Sequence, residues 1–120
     1  MPFALDASNP DYVRAHATGR LTPGDYDSFE PSLMAEIERR GGKAPFLLDI
    51  RGWRGWTVRG FLRDLAFDLR HGRSFTPMAA VGNRRWHRWL TWAAKPIFPA
   101  PMLFFDGARE AEAVEWTRRG

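Results

Sequence analysis

The spacing of apolar positions changes several times along the chain, and each change predicts an element. Tyr12-Val-Arg-Ala-His-Ala17 alternates, which predicts a strand, with Phe3-Ala-Leu5 as its hairpin partner across the turn Ser8-Asn-Pro-Asp11. Tyr26, Phe29, Leu33 and Ile37 then recur at helical spacing. Thr22 is a good cap for that helix, Pro23 suits its first position, and Asp25 stands where a capping box needs an acid. Pro31 lies inside the pattern and is expected to kink or split the helix, which Gly41-Gly42 ends. Pro45-Phe-Leu-Leu-Asp-Ile50 is a nearly continuous apolar run, as in a buried parallel strand. A loop, Arg51-Gly-Trp-Arg-Gly-Trp56, leads to a second helix that begins near Thr57, with Val58, Phe61, Leu62, Leu65 and Leu69 in one stripe. Thr76-Pro-Met-Ala-Ala-Val-Gly82 is the next strand. Asn83 caps a third helix that runs to Ala94 and stops before Pro96. Pro101-Met-Leu-Phe-Phe105 is a last strand, and Asp106 starts a final helix to about Arg118. Strands alternating with helices predict an α/β fold with a mostly parallel sheet and right-handed crossovers.

Length and composition narrow this further. With 120 residues the chain is expected to form a single domain, residues 1–120, around one core. Apolar and charged fractions of 44% and 27% are those of an ordinary globular protein. No apolar run is long enough for a membrane-spanning helix, and the first residues carry no secretory signal. The absence of cysteine excludes disulfides and thiolate chemistry and fits a cytoplasmic address, with peripheral membrane association compatible with it. Charge is distributed unevenly. Residues 51–95 carry ten basic and two acidic side chains, a net +8, while the remainder is −4. The same segment holds five of the six tryptophans. This asymmetry points to an anionic partner surface, either membrane or nucleic acid. A solvated arginine face is the plain alternative.

The order of elements and certain residues resemble the bacterial SpoIIAA-like family, a relative of STAS domains that is compared with CRAL-TRIO lipid-binding domains. The matching pieces are Gly19-Arg-Leu-Thr22 leading into Asp25-Tyr26 and Pro31; Phe46-Leu-Leu-Asp49; Asp64-Leu-Ala-Phe-Asp68 with His71 and Phe75; Met78-Ala-Ala-Val-Gly82 with Trp86; and Phe104-Phe105 with Ala113-Val-Glu-Trp116. The resemblance implies a single STAS-like domain with a four- to five-stranded, mostly parallel sheet and about four helices. It also implies a non-catalytic role in which the second and third helices separate and uncover a groove for an apolar or lipid-like molecule. STAS anti-sigma antagonists carry a phosphorylatable serine just after the strand that corresponds to residues 45–50. Here that place reads Asp49-Ile-Arg-Gly52, with no hydroxyl before Thr57, so no such switch is expected.

The third helix carries the most informative pattern. Trp86, Trp89, Leu90 and Ala93 follow core spacing, Trp92 flanks them, and Arg84, Arg85, Arg88, His87 and Lys95 fill the remainder. Tryptophans on one face and arginines on another suit an interfacial helix, with rings at headgroup depth and cations near lipid phosphates. Three tryptophans within seven residues exceed what one sheet-facing stripe can bury, so Trp89 or Trp92 is expected to be partly exposed. On the second helix, Phe67 projects away from the core stripe. Trp56 lies on that same side, among Arg59, Arg63 and Arg70. Trp53 and Trp56 form either a lip for ligand or membrane or a loop tucked under the helices. Phe98 follows among prolines.

The candidate binding residues are thus Trp53, Trp56, Phe67, Trp86, Trp89, Trp92, Phe98, Arg84, Arg85 and Arg88. The partners expected are an apolar small molecule or lipid, an anionic membrane surface, and alternatively a protein or a second copy of the chain. Catalytic signatures are scarce. His16, His71 and His87 stand apart from one another at non-ligand spacing, so neither metal nor cofactor is expected. Asp64 and Asp68, one turn apart, are expected to pair with nearby arginines. His71 closes the second helix, where a cation suits the dipole. Nucleic acid is disfavoured because no recognised motif accompanies the basic residues.

Overall fold

The structure, a computed structural model, describes residues 3–71, 74–83, 85–94 and 102–119. Among these, the sheet runs β1 (Phe3–Asp6), β2 (Val13–Leu21), β3 (Ala44–Trp56), β4 (Phe75–Gly82) and β5 (Met102–Asp106), paired side by side in that order. β1 is antiparallel to β2, as the hairpin pattern predicts, and the other pairings are parallel. The connecting helices are α1 (Pro23–Arg39), α2 (Val58–His71) and α3 (Arg85–Ala94). One turn of 3-10 helix, Gly107–Arg109, precedes α4 (Glu110–Arg119), so the last helix starts a turn later than Asp106 predicts.

Each crossover advances the sheet by one strand in the same direction. Right-handed connections therefore deliver α1, α2 and α3 to one face. The core agrees. Tyr26, Phe29, Leu33 and Ile37 of α1 pack with Phe46, Ile50 and Trp53 of β3. On the opposite face Ala113 of α4 packs with Leu47, Ala79, Val81 and Phe105, with Val114 and Trp116 against them.

α1 begins as the sequence predicts. The Thr22 hydroxyl accepts from the Asp25 amide, and the Asp25 carboxylate accepts from the Thr22 amide at 2.8 Å. Gly41 and Gly42, both at positive φ, close it. Pro31 does not split it. Pro31 and Asp27, one turn earlier, are both exposed, while Phe29 and Leu33 hold both halves to the same core.

The larger departure concerns β3. It continues through the residues expected to form a loop, and β2 likewise continues from Ala17 to Leu21. Two register shifts make this work. His16 pairs with Asp49 but Thr18 with Gly52, and Gly19 pairs with Trp53 but Arg20 with Gly55. Each shift inserts one extra residue into β3, and Gly55 adopts a positive φ at the second. An extra residue reverses which face the following side chains meet. Trp53, which strict alternation would send to the α4 face, joins Phe46 and Ile50 under the helices.

α2 is capped by Thr57, whose hydroxyl accepts from the Gly60 amide at 3.0 Å. It lies against β2 so closely that a Cβ on Gly60 would stand 2.2 Å from the Leu21 carbonyl oxygen. Replacing Gly60 by alanine should therefore cost about 2 kcal/mol or more, since backbone must move to admit the methyl group. Gly24→Ala in the first turn of α1, where the nearest atom stands 3.8 Å from the added carbon, should instead be neutral or stabilise by about 0.5 kcal/mol. Urea unfolding of both variants checks the two signs.

Candidate functional site

α3 carries an exposed stripe. Arg85, Arg88, Trp89 and Trp92 recur at i, i+3, i+4 and i+7, and all four face solvent, with Trp89 62% and Trp92 67% accessible. The exposure expected of Trp89 or Trp92 is found at both, although Trp89 also fits core spacing. One expected orientation is corrected. His87, placed among the solvated residues, is wholly buried.

The cause lies in the sheet beneath. The His87 ring stacks on Trp53, with centroids 5.6 Å apart and planes 24° from parallel, and its Nε2–H donates to the Trp53 carbonyl at 3.0 Å. Gly82 makes room, because a Cβ there would fall 2.9 Å from His87 Nδ1 and 2.9 Å from the Phe104 ring. The bulge that turns Trp53 inward thus also fixes the rotation of α3. Trp53 is 6% exposed and serves as the bed for His87, so it does not form an open lip.

α2 shows a second correction. Leu62, expected in its core stripe, is 59% exposed. Arg59, Leu62, Ala66 and Arg70 form its outward stripe. The helix is turned this way because Gly60 abuts β2 and because a polar latch holds α1. Arg63 donates to Asp27 at 3.1 Å and to Glu30 at 2.5 Å, and the Tyr26 hydroxyl donates to Asp64 at 2.6 Å. Arg63 is thereby withdrawn from the surface expected of it. The side chains of Trp56, Phe67, Asp68 and Trp86, the rest of the expected α2 stripe, and Arg84 and Phe98 lie outside the described residues.

Of the candidate residues, the structure brings Arg85, Arg88, Trp89 and Trp92 onto one surface. Arg88 lies over the Phe104 ring at 5.0 Å and donates to Asp106 at 2.9 Å. Among the described residues no carboxylate pairs with Arg85.

Sequence reasoning missed a charged cluster on the α4 face. Asp49, buried on β3, accepts from Arg51 at 2.5 Å and from Arg14 of β2 at 3.3 Å, and His16 Nδ1 lies 3.3 Å from it. Glu110 at the start of α4 accepts from both Arg51, at 2.9 Å, and Arg14. The pairing of His16 with Asp49 across the two strands was the signal, hidden by the unrecognised length of β2 and β3. Burial pushes the Asp49 carboxyl up, but hydrogen bonds and charge from Arg51 outweigh it and hold the group below its ordinary value. A hydrogen bond from Arg14, against the opposing effect of burial, draws the Glu110 carboxyl down as well. The two arginines and two carboxylates balance, and they tie the N-terminus of α4 to the middle of the sheet.

Among the described residues no group of three His, Cys, Asp or Glu could hold a metal ion, and no helix is long and apolar enough to cross a membrane.

Because both folded carboxyls titrate low, their contribution to stability is full above the unfolded carboxylate range and is lost as pH falls through the folded values. Stability should decline as pH drops below about 4.5. Asp49→Asn should cost about 3 kcal/mol at neutral pH by leaving two arginines without this carboxylate, and should flatten the acid limb. Thermal melts from pH 3 to pH 7 (about the carboxylate titration range) measure both effects.

Comparison with known proteins matches this architecture. The SpoIIAA-like family profile covers residues 12–118. The crystal structure of an uncharacterised Shewanella loihica protein with a SpoIIAA-like fold superposes with a TM-score of 0.80 at 28% identity, spanning 96% of this chain and 91% of that one. No curated protein matches the chain.

Proposed function

The chain belongs to the SpoIIAA-like family, and we propose that it is a non-enzymatic binding module that docks reversibly on anionic membrane through the outward faces of α2 and α3, taking an apolar, lipid-like ligand there. The observation that carries this reading is the Arg85, Arg88, Trp89 and Trp92 stripe. Two large rings stand in water while a histidine occupies the buried side of the same helix. That arrangement suits an interface, where indoles settle at headgroup depth and guanidinium groups meet phosphates. Each cation near the surface contributes about 1 kcal/mol against an anionic leaflet. A few such contacts give docking that salt reverses. Leu62 on α2, in the same helical layer, adds apolar surface.

A second reading is a STAS-like protein-interaction or regulatory module without a phosphorylation switch. Leu103 favours it, since it lies exposed on β5, an edge strand of the sheet. On that reading the exposed aromatics are covered by protein or by a second copy, and size-exclusion elution should shift with concentration without lipid.

Co-sedimentation with phosphatidylglycerol-containing and purely phosphatidylcholine vesicles tests the preferred reading. The wild-type protein should pellet with the anionic vesicles and be released by salt. Trp89→Ala and Trp92→Ala should each weaken binding by about tenfold, the loss expected on removing a buried aromatic. Arg85→Glu should reduce the salt dependence. Equal absence of binding to both vesicle types would sink the membrane reading.

A further inference from the structure

Asp106 holds a position where aspartate ordinarily caps the following helix, yet its carboxylate makes no capping hydrogen bond. It accepts instead from Arg88 Nη2 at 2.9 Å. Both partners are more than half exposed, so the pair contributes little net stability and exchanges readily. The guanidinium does not depend on that carboxylate for its place, because it also lies 5.0 Å over the Phe104 ring. Arg85, one turn earlier on α3, is exposed and unmatched by any carboxylate among the described residues. Trp89 adjoins Arg88 on the outward stripe.

A carboxylate and a phosphate offer a guanidinium the same chemistry, two or more anionic oxygens in a plane that its N–H groups can reach. We infer that Asp106 occupies, in the free protein, the place on Arg88 that the phosphate of an anionic lipid headgroup takes when α3 docks, with Arg85 as the second cation of that subsite. This rests on the docking function proposed above and adds its regulation. Asp106 masks one of the two arginines and sets a fixed negative charge beside the contact surface. A sparse anionic surface does not displace it, and a dense one does. The displaced carboxylate has a nearby destination, the uncapped backbone of the 3-10 turn.

Vesicles of phosphatidylcholine with graded fractions of phosphatidylglycerol test this, with wild type, Asp106→Asn, Arg88→Gln, the double variant, and Glu112→Gln as a control with the same charge change on α4. Asparagine caps as well as aspartate, so folding should be retained, and thermal melts verify it. Asp106→Asn should bind anionic vesicles about fivefold more tightly, respond at a lower phosphatidylglycerol fraction, and leave neutral vesicles unaffected. The gain should vanish in the Arg88→Gln background and be absent in Glu112→Gln. The inference is overturned by no gain, by an equal gain without Arg88, or by an equal gain from Glu112→Gln, while wild-type binding that depends on Trp89 and Trp92 leaves the docking function standing. If no variant pellets with any vesicle, docking itself fails and the mask with it.

Discussion

A sheet whose strands lie in sequence order leaves its crossover helices no choice of side. Each right-handed connection from β2 to β5 lands on the same face, so α1, α2 and α3 form one layer and, among the described residues, α4 alone serves the other. The position of α3 in that layer follows. It packs on β4 and β5, and among the described residues no later helix covers it on that face. A helix in that place must either be polar on its outer side or meet something outside the domain. Trp89 and Trp92 stand in solvent there, so its outer side is not wholly polar.

The same constraint separates the charge of the central segment into parts with different work. Counted along the chain, residues 51–95 are strongly basic. In space, Arg51 belongs to the cluster that fastens α4, Arg63 belongs to the latch between α1 and α2, and Arg88 is held by Asp106. The field offered to a partner therefore comes from fewer cations, those on the outward stripes of α2 and α3. The first extra residue in β3 mediates this division. Asp49 precedes it and lies on the α4 face by ordinary alternation from Leu47, Arg51 pairs with it there, and the extra residue turns Trp53 to the helix face, so one strand anchors both helical layers.

Most of the fold was legible because its signals are local. The cap at Thr22, the glycines after α1 and the apolar runs of β3 and β4 each depend on neighbours within a few residues, and each formed where the pattern placed it. The site was less legible because it depends on helix rotation, which neighbours in space determine. Leu62 and Trp89 fit core spacing in one dimension, yet Gly60 against Leu21 and His87 against Trp53 turn both helices away from that reading. Bulges defeat period-two reasoning for the same reason. Nothing in Arg51-Gly-Trp-Arg-Gly-Trp56 distinguishes a loop from a strand that has gained a residue. The Asp49 cluster was invisible because its members come from β2, β3 and α4, far apart in sequence.

His87 bears on whether the exposed tryptophans are a by-product of packing. An overfilled core would expel apolar side chains only after its own places were taken by apolar ones. Here a place on the sheet side of α3 is taken by a polar ring that needs a carbonyl acceptor and a glycine beneath it to fit. Exposing an indole forgoes roughly the 1.5–3 kcal/mol that burying a large apolar side chain contributes. A helix that seats a histidine inward and two tryptophans outward has its amphipathicity partly inverted relative to a helix selected for core stability alone. The inversion is costly for the isolated domain and is recovered only when the outer face meets a second apolar or interfacial phase. That reasoning applies equally to a bilayer and to a protein partner. Of the arginines that share the stripe, one has no carboxylate partner among the described residues and one is held by an exposed carboxylate that exchanges easily, and on the proposed function these are the groups that meet phosphates.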